Sequence, residues 1–188
     1  MIYRLEGTAY RLSAVQYDES DLIYFKIVDA NIALAQNCLE DAIHLYTQAA
    51  SDKSLGVSGI MMNGMSEAEE EEALRSFAHF RLVVARVLKG DLPGAEKAVG
   101  QCQQVGGPFV PLAETFWHTF AETKSVEAAC AAVTAYIQRA PNLLDILNSF
   151  GYANPEFDPG DVRRGTGKGL PLAEATPIAL LGCPRCAN

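Results

Sequence analysis

Cys183 and Cys186 form the pattern CPRC near the end of the chain. A C-x-x-C pair can contribute to a zinc site or cycle between dithiol and disulfide. Zinc takes four ligands, and no second pair of this kind supplies the other two. Thioredoxin-like cycling needs a strand–helix–strand frame, which this region lacks. His44, His79 and His118 occupy different places along their segments, so no common face gathers them as metal ligands. The stretch GTGKG (165–169) matches part of a phosphate loop. The Walker pattern also requires an earlier glycine and a Ser or Thr after the lysine. Val162 and Gly169 stand at those places. No Ser-His-Asp set or carboxylate pair is defined by spacing. The reading is a noncatalytic chain, with no cofactor and no metal.

Two further stretches invite a binding role. EAEEEE (67–72) has the charge to meet a basic partner. Acidic residues in a helix's first turn also complement the helix dipole and keep a protein soluble, which is the simpler account. IMMNGM (60–65) offers flexible, polarisable side chains suited either to a contact surface or to folding back on the core.

The totals narrow the partners. The 188 residues fit one domain with a tail, and 49% hydrophobic content is enough for a core. The formal net charge is −8, from 15 basic and 23 acidic residues. Nucleic acid and anionic membrane surfaces both attract Lys and Arg, so neither is expected. No run of about 18 apolar residues exists, and the first residues do not have the pattern of a signal peptide. Five cysteines scattered among apolar positions do not form a disulfide framework, which points to a reducing, cytoplasmic location.

The elements follow from apolar periodicity and its punctuation. Residues 1–19 are rich in β-formers but interrupted by Gly7. A strand pair, a helix turn or the remnant of a preceding unit all fit them. Helices are predicted from Ser20 to about Gln36 and from Leu39 to Asp52. A loop over 53–66 follows, with turn signals at Gly56, Gly59 and Asn63-Gly64. Ser66 and Glu69 make a capping box for a long helix closed by Gly90. Further helices are predicted over about 93–105, 109–123 and 126–140, and a short one from Asn142. Residues 151–188 hold six glycines and five prolines without periodicity and read as an irregular tail. The helical domain is therefore 20–150.

The second helix of each pair carries a recurring triplet. Ala42, Tyr46 and Ala49 correspond to Ala95, Val99 and Cys102, and then to Ala129, Val133 and Tyr136. The small residue lets two helices approach, and the larger one fills the space a turn later. Ala95 and Ala129 are 34 residues apart, while Ala42 and Ala95 are 53 apart. GDLPGAEKAV (90–99), Leu82 and Pro141 accompany this period. Together they resemble the tetratricopeptide repeat, in which two helices form each unit. The resemblance covers roughly residues 20–141, and Asp29 departs from it where a leucine is usual.

The resemblance implies an all-α, right-handed stack of three units, an α-solenoid, closed by a short helix. It also implies that the first helices line a concave groove. Tyr24, Ile27, Asn31 and Leu34 would come from the first unit. Phe77, Phe80, Val84 and Val87 would come from the second, and Glu114, His118 and Glu122 from the third. The carboxylate-gripping variety of the family places a lysine where Ile27 stands, so that mode is not expected. The function implied is a protein-interaction scaffold docking a protein or peptide partner in an apolar groove. A sensor for a small apolar ligand and a metal- or redox-active protein using the terminal cysteines are the alternatives. A fragment of a longer repeat array would look the same.

Overall fold

Ser66 starts the longest helix by exchanging hydrogen bonds with Glu69. Glu69 N donates to Ser66 Oγ at 3.3 Å, and Ser66 N donates to Glu69 Oε2 at 2.7 Å. The helix ends at Gly90, whose φ of 81° is the left-handed conformation that glycine adopts without strain. The residues between form α3 (Glu67–Lys89). The computed structural model describes residues 2–6, 9–14, 20–57, 65–144 and 147. Before α3 lie α1 (Ile23–Ala35) and α2 (Leu39–Ser51). After it come α4 (Leu92–Val105), α5 (Val110–Thr123) and α6 (Val126–Arg139). Two strands, β1 (Ile2–Glu6) and β2 (Ala9–Ala14), pair antiparallel, with Arg4 opposite Arg11.

The body from residue 20 is helical, and consecutive helices pack against each other. Two departures from the expected boundaries have local causes. α1 begins at Ile23 rather than Ser20 because the preceding residues are engaged elsewhere. Ser20 Oγ accepts from Leu22 N at 3.1 Å, and Ile23 N donates to Gly56 O at 3.0 Å. The backbone after α2 is thereby tied to the start of α1. The helix expected from Asn142 begins as a 3-10 turn, Pro141–Leu144, and Leu147 beyond it is helical. Residues 58–64, including most of the Met-rich stretch, and the tail 151–188 lie outside the described residues.

α3 is the centre of the molecule. It packs against α1, α2, α4 and α5, and every residue from Ala73 to Ala85 is buried. A helix apolar on one stripe needs one neighbour; this one is covered on all sides. Small residues allow the close approach. Ala42, Ala49, Ala95 and Ala129 have no exposed surface. The recurring triplets face inward, except that Tyr136 is only half-buried. The turn between α4 and α5 also presses on α3. A Cβ at Gly107 (φ 89°) would lie 2.7 Å from Ser76 Oγ and 3.0 Å from the Glu72 carbonyl oxygen.

Candidate functional site

The residues expected to line an open groove are mostly interior. Tyr24, Ile27, Phe77, Phe80 and Val84 are buried, as are Leu34 and Val87. Asn31 and Glu114 are half-buried, and His118 and Glu122 are exposed on α5. Phe77 stacks edge-on against Phe80 at 6.1 Å and against Phe109 at 5.0 Å. The aromatic surface assigned to a partner is thus largely satisfied from within the chain. Part of the cover comes from beyond α6. Leu144 and Leu147 are buried in the same apolar cluster, and Tyr24 Oη donates to the Leu147 carbonyl at 3.5 Å. The chain leaves α6 and returns to α1. Burial also raises the pKa of the Tyr24 hydroxyl, so it stays protonated as the donor.

A polar chain crosses beneath these residues. Arg81, 3% exposed, donates through Nε to Tyr46 Oη at 3.1 Å, and Tyr46 Oη donates to Asn31 Oδ1 at 2.6 Å. The guanidinium also lies 5.8 Å from the centre of the Tyr46 ring and 6.0 Å from that of Phe77. Desolvation raises the Tyr46 pKa against the opposing pull of Arg81. Asn31, predicted as a partner contact, is therefore engaged in joining α1 to α2 and α3. Sequence reading did not anticipate Arg81 here. The clue was an arginine in the densest apolar stretch of the chain, where a buried cation requires partners.

His44 and His118 are exposed, and His79 is 4% exposed within α3. Burial, reinforced by the nearby Arg75 guanidinium, lowers the His79 pKa from 6.5 to about 4. Above pH 6.5 the imidazole is neutral in both folded and unfolded chains. Between 6.5 and 4 only the unfolded chain takes up the proton, so stability present at neutral pH is lost as the pH falls. The slope is at most ~1.4 kcal/mol per pH unit. Urea unfolding at pH 7 and pH 4.5 should show the native chain losing about 2–3 kcal/mol more than a His79→Gln variant. Equal losses would place His79 in contact with water.

Cys38 and Cys102 are free thiols, and burial pushes the Cys102 thiol up to about 12, where it does not act as a nucleophile at neutral pH. Cys183, Cys186 and the GTGKG stretch lie outside the described residues. Among the described residues no group of three or more His, Cys, Asp or Glu side chains converges as a metal site. No described helix is long and apolar enough to cross a membrane. No family model matches this chain, and no curated protein or solved structure does either.

Proposed function

We propose that this protein is a noncatalytic interaction scaffold of three stacked tetratricopeptide-like pairs, α1–α2, α3–α4 and α5–α6. The stack is right-handed, and its partner is a peptide or helix that docks on the layer of first helices. The observation that carries this reading is the contact order: α1 touches α3, and α3 touches α5, while each also packs on its own second helix. First helices placed side by side make one continuous face.

That face is apolar and is occupied by the chain itself. Leu147, 2% exposed, meets Tyr24 through its backbone carbonyl, and a partner's leucine would take its place. Docking is then an exchange, in which an incoming apolar side chain replaces Leu147 over Tyr24 and its neighbours. The aromatic and aliphatic residues supply the energy, as buried anchors do in most interfaces. The acidic surface biases encounter toward basic partners.

The test compares the native full-length chain with Leu147→Asp as bait in lysate of the source cells, with helical content checked by circular dichroism. A charged residue at position 147 cannot stay in an apolar site, so the face is freed. At least tenfold greater retention of a specific protein by the variant is expected. Equal retention by two folded baits would remove the exchange mechanism, and no retention by either would remove the scaffold reading.

A further inference from the structure

A second feature lies between α2, α3 and α4, away from the segment that returns to α1. Each helix contributes residues at three- or four-residue spacing to a pocket of about 120 Å³. The polar residues lining it are Thr47 and Ser51 from α2, His79 and Arg86 from α3, and Lys97 and Gln101 from α4. Drug-sized ligands occupy pockets of about 300–1,000 Å³, so this one suits a single small group.

Its hydrogen bonding is incomplete in one direction. His79 is more than nine-tenths buried, and its Nδ1 finds no partner among the described residues. Arg86 Nε is likewise buried without one. Buried polar atoms are nearly always paired, so two orphans on residues that line one pocket require an explanation. The two hydroxyls spend their protons on backbone carbonyls and keep only acceptor lone pairs. Thr47 Oγ1 donates to Ile43 O at 2.7 Å, and Ser51 Oγ donates to Thr47 O at 2.6 Å. Lys97 forms no ion pair among the described residues. Asp91 is the nearby carboxylate, and it is held by Arg86 Nη1 and by the backbone N of Gly94.

The donors left on the lining are the Arg86 Nε–H, the Lys97 ammonium, the Gln101 amide and the one N–H of a neutral imidazole, beside the acceptor oxygens of Thr47 and Ser51. In a chain of net charge −8, the lining holds two cations and no carboxylate. We propose that this pocket binds a small oxyanion, a phosphate or a carboxylate group, between Lys97, Arg86, Gln101 and His79. The oxygens would accept the unspent hydrogen bonds, and Lys97 would supply the charge that Asp91 leaves uncompensated. Charge-assisted bonds of this kind are the stronger class.

The experiment is an NMR titration of the full-length chain with sodium phosphate and, separately, sodium acetate, with ionic strength held constant by chloride. Saturable shifts of the His79 ring and the Gln101 side-chain amide are expected with at least one anion. The anion that saturates at lower concentration identifies the group as phosphate or carboxylate. Lys97 is exposed, so its variants are expected to fold. Lys97→Ala should weaken binding about tenfold, and Lys97→Glu should abolish it. Shifts that rise linearly with both anions, or saturable shifts unchanged by Lys97→Glu, would overturn the proposal.

Discussion

Replacing Phe80 with alanine is expected to lower the unfolding free energy by about 3–5 kcal/mol. Phe80 is 1% exposed, lies edge-on to Phe77 and sits in the helix that four others cover. Removing its ring costs the transfer energy of the lost atoms and leaves a cavity that close neighbours fill only partly. For a chain of this size the melting temperature should fall by roughly 6–20 °C, at about 2–4 °C per kcal/mol. Urea unfolding of the two chains, monitored by circular dichroism, measures the difference directly. A loss below about 1 kcal/mol would mean that the ring faces open solvent. The groove expected from the sequence would then be vacant. The same measurement therefore separates a structural aromatic from a free docking anchor.

The second large effect is expected at Arg75. Its guanidinium reaches from α3 to the end of α2, donating to Ala49 O at 3.2 Å and Asp52 O at 3.0 Å, with a longer contact to Leu55 O at 3.5 Å. These carbonyls lie where a helix leaves acceptors without internal partners. The same side chain pairs with Glu71 at 2.7 Å. Arg75→Ala should cost about 2–4 kcal/mol, because hydrogen bonds from a charged donor contribute about 1.5–3 kcal/mol and the abandoned carbonyls remain partly buried. Glu71→Gln should cost only about 0.3–0.5 kcal/mol, as that carboxylate is 49% exposed. Lysine should not restore stability, since a single ammonium cannot reproduce the guanidinium fork. Comparable losses for Arg75→Ala and Glu71→Gln would assign the effect to the ion pair rather than to the helix end.

The parts of this fold that were legible in the sequence depend on short-range chemistry. Ser66 with Glu69, and Gly90, mark the ends of α3 because capping is decided within a few residues. The Ala42, Tyr46 and Ala49 triplet marks a buried face because spacing alone places it. What could not be read was how many neighbours each face would meet. Arg75, His79 and Arg81 interrupt the apolar pattern of α3 as a solvent face would, yet all three are buried because α3 has helices on every side. The repeat resemblance implies a groove lined by Tyr24, Phe77 and Phe80. The leucines after α6 that help to fill the apolar cluster come from more than 60 residues beyond Phe80 in the chain. The oxyanion pocket was hidden for the same reason. Its residues are spread over three helices, and no one helix carries enough of them to suggest a site.

The encirclement of α3 also sets the order in which the molecule comes apart. α6 rests on α5 and the short turn after it, so it can detach while the rest stays folded. α3 cannot detach alone, because releasing it strips the inner surfaces of α1, α2, α4 and α5 together. Opening free energies in such a protein form a gradient, low at the last helix and equal to the global value in the middle of the chain. The molecule is thus softest near Leu147, where the proposed exchange would begin, and hardest at α3, against which an arriving partner would press.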